Sequence, residues 1–222
     1  MAKKEIAPAR TKLEEVNESL TNTAQKLEKN KKTIYWIVGI VMGIVVAGAG
    51  WYYLIHLPGK TQAASLIGKA DLEYIQGDSA NAAKDYKVAL DKGADRAAYN
   101  LAIISYQAGK YKEAAAHLES YDAKGKLVGP AAMSLLGDCY VNLKDYDKAI
   151  GAFDKAIKLA DGNELYAPTF MVKKATVLHA QKKYADEAAI YQSIKDDYPS
   201  YARSANLNVD KYLERANALA GK

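Results

Sequence analysis

Two hydrophobic patterns divide the chain. Residues 34–57 contain no Asp, Glu, Lys or Arg and are apolar on every side, whereas from residue 60 onward apolar positions recur every three to four residues with charged ones between them. An apolar run without a polar face suits a helix surrounded by hydrocarbon, and a periodic one suits amphipathic helices packed on each other. The 24 residues from Ile34 to Leu57 predict a helix of roughly 36 Å at about 1.5 Å rise per residue, enough to cross a hydrocarbon core of about 30 Å with some tilt. Lys26, Lys29, Lys31 and Lys32 crowd its N-terminal side, and only Lys60 and Lys69 follow within the next dozen residues. That bias predicts a cytoplasmic N-terminus and an extracytoplasmic C-terminal domain. Tyr35 and Trp36 at one end and Trp51, Tyr52 and Tyr53 at the other suit the headgroup region, and Pro58-Gly59 is expected to end the helix. A rival reading is a cleaved signal, because Ala47-Gly48-Ala49 has the small-x-small form of a cleavage site; the polar segment of 33 residues ahead of the apolar run is long for a signal. The expected organisation is a basic tail over 1–33, a transmembrane helix over 34–57 and an extracytoplasmic domain over 58–222.

Beyond Pro58 the periodic pattern itself repeats. Gly77 is followed by Ala82 and Tyr86, Gly109 by Ala114 and Leu118, and Lys144 by Ala149 and Phe153. Each set is a turn residue, then a small residue five later, then a large one four after that. Upstream, Leu101-Ala102 and Leu136-Gly137 recur with Tyr106 or Tyr140 behind them. The small residues are expected where two helices of a hairpin come closest, and Tyr86, Leu118, Phe153 and Tyr191 where one hairpin meets the next.

This pattern resembles the tetratricopeptide repeat family, with Leu136-Gly137-Asp138-Cys139-Tyr140 matching its first helix and Ala149-x₃-Phe153 its second. The resemblance implies an all-α solenoid of about four helical hairpins beginning near Ala63, Asp95, Pro130 and Pro168, closed by a C-terminal capping helix within 202–218. Two positions depart from the pattern: Lys69 stands where leucine is usual, and Glu187 where alanine is. Terminal repeats are often atypical because they cap the array.

Charge and composition then narrow the function. The net charge is +5, but eight Lys/Arg against five Asp/Glu in residues 1–33 account for +3 of it. The remainder offers no basic stripe for nucleic acid. Cys139 is the only cysteine, which excludes an intrachain disulfide and a thiolate zinc site, and His56, His117 and His179 look isolated. No phosphate-binding glycine loop, H-E-x-x-H or G-x-S-x-G occurs. We therefore expect no enzyme activity, no metal, no cofactor and no small-molecule substrate.

In the family's fold the first helix of each hairpin lines a concave groove. By register, its expected lining includes Ile67, Asp71 and Tyr74; Arg96, Tyr99, Ile103 and Tyr106; Ser134, Asp138 and Val141; and Val172, Thr176 and His179. Such a groove suits an extended or helical segment of another protein. Gly39, Gly43 and Ala47 recur every four residues along the apolar helix, a spacing that lets membrane helices approach closely. Leu13, Val16, Leu20 and Leu27 form one stripe of the tail and suggest an amphipathic helix or a docking segment. About three residues separate the apolar run from the first repeat helix, roughly 10 Å at about 3.3 Å per residue, so membrane proteins or chains emerging through the membrane are the expected partners. The layout resembles single-span bacterial envelope repeat proteins typified by the ancillary subunit of the Sec translocon, which implies handing over secreted or outer-membrane precursors at the inner membrane. A scaffold for envelope assembly or cell-wall synthesis, and a regulatory subunit acting through its tail, share the same features.

Overall fold

The computed structural model describes residues 17, 20–21, 28–123, 125, 128–160 and 162–221. Of the tail stripe, Leu13, Val16 and Leu27 lie outside the described residues. The chain divides into two units, Met1–Pro58 and Gly59–Lys222. Among the described residues all regular structure is helical.

In the first unit, α1 (Lys31–Trp51) buries none of its side chains, and Trp36, Ile44 and Val46 are all exposed. A π-helical turn, Tyr52–His56, follows it. The next helix, α2 (Leu57–Ile75), contains Pro58 and Gly59 in its first turn, so these residues do not end the helical backbone as the sequence suggested.

The second unit continues with α3 (Ser79–Asp91), α4 (Arg96–Gln107), α5 (Tyr111–Glu119), α6 (Val128–Asn142), α7 (Tyr146–Leu159), α8 (Tyr166–Ala180), α9 (Tyr184–Asp197), the short α10 (Pro199–Ser204) and α11 (Val209–Leu219). One turn recurs between α2 and α3, α4 and α5, α6 and α7, and α8 and α9. Its middle residue is left-handed: Gly77, Gly109, Lys144 and Lys182 have φ of 86°, 72°, 61° and 59°. The following amide donates to the carbonyl five residues back, from Asp78 to Glu73 at 2.9 Å, Lys110 to Ser105 at 2.8 Å, Asp145 to Tyr140 at 2.9 Å and Lys183 to Leu178 at 2.9 Å. This is the Schellman arrangement, which satisfies helix-end carbonyls at the moment the chain reverses. Asp78 and Asp145 then cap the next helix, accepting from the amides of Asn81 at 3.1 Å and Lys148 at 3.4 Å.

Packing follows the small-then-large pattern. Ala82, Ala114 and Ala149 are fully buried, and Tyr86, Leu118, Phe153 and Tyr191 are nearly so. The largest apolar cluster runs from Ala102 to Val177 and holds Leu118, Leu136, Cys139, Phe153 and Phe170. Gly137 is indispensable there: a Cβ on it would sit 2.5 Å from the Phe153 ring. The capping helix begins at Val209, not near Ala202, and lays Val209 with Leu207, Tyr212 and Leu213 against Met171, Tyr191 and Ile194.

Candidate protein-binding groove

The helices α2, α4, α6 and α8 come first in their pairs, and polar side chains tie each of them to the next. Between α2 and α4, Asp71 is the hub. Its Oδ1 accepts from the Tyr86 hydroxyl at 2.5 Å and from Asn100 Nδ2 at 3.2 Å, while its Oδ2 accepts from Arg96 Nη2 at 3.1 Å. Burial, and next the hydrogen bond to Asp71, push the Tyr86 phenol well above the usual tyrosine range. Tyr74 reaches across the same gap, its hydroxyl donating to Gln107 Oε1 at 2.9 Å. Between α4 and α6, Asn142 Nδ2 donates to the Tyr106 hydroxyl at 3.3 Å, and the Tyr106 ring meets the edge of Tyr111 at 5.3 Å. Burial, with the Asp138 charge second, raises the Tyr106 phenol. Between α6 and α8, Lys173 Nζ donates to Asp138 Oδ2 at 2.5 Å and to Ser134 Oγ at 3.1 Å.

A cavity of about 280 Å³ opens between α2 and α4, and Tyr74, Arg96 and Ile103 line it together with Asp71, Ile75 and Asn100. Of the residues expected in the groove, four, Asp71, Tyr74, Arg96 and Ile103, are thus brought to one place. Tyr106 and Asp138 lie near one another on the next two helices, where Asn142 Nδ2 donates to the Tyr106 hydroxyl at 3.3 Å and to the Asp138 main-chain carbonyl at 2.8 Å. Tyr99 is placed differently: its ring packs on Tyr121 at 6.1 Å, against the central apolar cluster. His179 is not isolated. Its Nδ1 lies 2.8 Å from Oε2 of the fully buried Glu187, whose Oε1 accepts from Arg215 Nη2 of α11 at 2.7 Å. Val172 packs partly buried against the cluster under α11, and Thr176 bonds the Val172 carbonyl of its own helix at 3.0 Å.

Sequence reasoning did not single out Ile75 and Asn100, which line the cavity, or Lys173, which bonds Asp138 and Ser134. Lys173 had a signal: Asp138 is an acid within an otherwise uncharged helix, and Lys173 and Lys174 are the lysines of the next first helix. On α1, Gly39 and Gly43 leave open space where a Cβ would be, and nothing in their surroundings occupies it. Among the described residues, no group of three or more His, Cys, Asp or Glu is placed to hold a metal ion. Cys139 is buried, and burial pushes its thiol up to about 11.

Tetratricopeptide repeat models match residues 67–127 and 130–163. No curated protein matches the chain. Solved structures that resemble it include MamA, at 18% identity and a TM-score of 0.58 over 72% of this chain and 83% of that one. PilF of Pseudomonas aeruginosa matches at 16% identity and a TM-score of 0.52 over 81% and 87%. YrrB, described as a tetratricopeptide repeat protein with an unusual peptide-binding site, matches at 17% identity and a TM-score of 0.51 over 69% and 84%. Matched in two adjoining segments and built as helix pairs closed by one shared turn, residues 67–127 and 130–163 carry tetratricopeptide repeats.

Proposed function

We propose that the protein is a membrane-anchored docking module, with α1 embedded in the cytoplasmic membrane, its tail inside, and the repeats on the periplasmic side presenting the α2–α8 face to other polypeptides. The repeat fold is characteristically a non-enzymatic protein-interaction scaffold, and a protein partner follows from it. The observation that carries the membrane part is α1 itself. It belongs to a helical stretch long and apolar enough to cross a bilayer, and its Trp, Ile and Val side chains lie open, which is stable only against hydrocarbon or another apolar surface. Lysines ahead of α1 support the orientation. Within this reading the module is an accessory, chaperone-like factor that receives secreted or envelope proteins at the Sec translocon. YrrB, with its peptide-binding site, offers a precedent for peptide capture on a similar scaffold.

Two experiments test it. Protease added to intact spheroplasts should digest the repeats and spare the tail; a protected C-terminal domain overturns the orientation. A photo-crosslinker at Tyr106 or Gly43 should recover channel subunits or secretory precursors, and capture of wall-synthesis enzymes alone overturns the translocon role while leaving the docking module in place.

A further inference from the structure

The charged side chains expected to greet a partner on the α2–α8 face are already bonded to one another. Arg96 is bound to Asp71 at 3.1 Å and Lys173 to Asp138 at 2.5 Å. Asp71 is further capped by Tyr86 and Asn100, so both of its oxygens are engaged. The Tyr74 hydroxyl is given to Gln107. What stays open toward the cavity is the apolar surface of Tyr74, Ile75 and Ile103, Ile75 being 79% exposed, and the guanidinium N–H groups of Arg96 that Asp71 does not use. A cavity of about 280 Å³ is below the range of about 300–1,000 Å³ common for small-molecule sites and suits one inserted side chain.

Taking the groove reading above as its basis, we infer that the α2–α4 cavity selects an uncharged, extended polypeptide segment, seating one large apolar side chain against Tyr74, Ile75 and Ile103 while a main-chain carbonyl of the segment accepts from Arg96. Charge complementarity decides the choice. A ligand carboxylate would meet a guanidinium already neutralised by Asp71 and would lose its own hydration for no net counter-charge. A neutral segment loses only water from apolar walls, and its carbonyl finds a donor ready. The occupant therefore has the chemistry of an unfolded chain's apolar stretch, and a carboxylate terminus or acidic motif is disfavoured.

The test uses the full chain in lipid nanodiscs and short fluorescent peptides, acetylated and amidated, built from Ser, Gly and Gln with one central Phe or with that Phe flanked by Asp. The neutral Phe peptide should bind more tightly than its acidic counterpart, and its affinity should change by less than about twofold when salt is raised from about 0.05 to 0.5 M, because no net charge is left to screen. Ile103→Ser should weaken it about tenfold or more, as the loss of an apolar anchor does. The pair Asp71→Asn with Arg96→Gln removes both charges and, with them, the guanidinium donor for the segment's carbonyl, so it should weaken the neutral peptide by no more than about tenfold and leave its advantage over the acidic peptide in place. Preference for the acidic peptide, with affinity falling steeply in salt and lost in the double variant, would overturn the inference and leave the groove standing. Binding of neither peptide, or binding indifferent to Ile103→Ser, sinks the groove itself. The peptide-charge and salt series needs only the parent chain, so it decides the matter even if a variant fails to fold.

Discussion

Between α4 and α7 the repeat core is mainly apolar: Leu118, Leu136 and Phe153 are buried around alanines and Gly137. At the two ends of the array the equivalent places hold charge. Lys69, at a leucine position, is 63% exposed along its side chain and bridges Asp85 at 2.7 Å and Glu73 at 3.3 Å. Glu187, at an alanine position, is wholly buried and held by His179 and Arg215. An interior hairpin is covered on both sides and can rely on burial, whereas an end hairpin must finish a surface. The two ends finish theirs differently. Lys69 keeps its own ammonium open to water over the largely buried Glu73 and Asp85, whereas Glu187 is itself a fully enclosed charge that must be answered.

Breaking the apolar middle should have the largest effect. Phe153→Ala leaves a hole beside Gly137 and should lower unfolding stability by about 3–5 kcal/mol, read from denaturant midpoints at unchanged slope. Glu187→Ala restores the small residue the repeat pattern prefers, but strands Arg215 and His179; both keep some access to water, so a loss of about 1–3 kcal/mol is expected. Amide exchange should show that loss concentrated in α11 while α6 and α7 keep their protection, and uniform loosening would erase the distinction between middle and end. Lys69→Ala should shift the denaturant midpoint less than either Phe153→Ala or Glu187→Ala, and the shift should shrink in high salt. Lys144→Gly should act in the opposite direction, stabilising by about 0.5–1 kcal/mol, because a side chain at φ 61° is strained and glycine is not. A destabilised glycine variant would mean that lysine stems pack more than the turn suggests.

Much of the hairpin geometry could be read from the chain because it depends on local chemistry. A left-handed residue, a small one five later and a large one four after that are short-range demands, and Lys144 could stand in for glycine at the turn without hiding them. The ionic partners were not legible. Glu187 announced itself as an exception, yet its partner Arg215 lies 28 residues away on the cap, a distance at which spacing says nothing. The groove divided in the same way. Register alone was enough to expect Arg96, Ile103 and Tyr74 side by side, where they line one cavity, but not the contact of Tyr99 with Tyr121, a ring supplied by the loop after α5. Pro58 misled for a related reason: the backbone stays helical through Leu57–Ile75 after a π turn over Tyr52–His56, and such a turn has no sequence signature of its own.

The buried carboxylate of Glu187 also settles where an array of this kind can stop growing. Duplicating a hairpin after α9 would replace α11 with a helix lacking the guanidinium of Arg215, and the new junction would enclose an acid with half its bonds unmade. Lengthening the solenoid at that end therefore demands two coordinated changes, a neutral small residue at 187 and a fresh apolar helix, so the molecule carries its own chemical full stop.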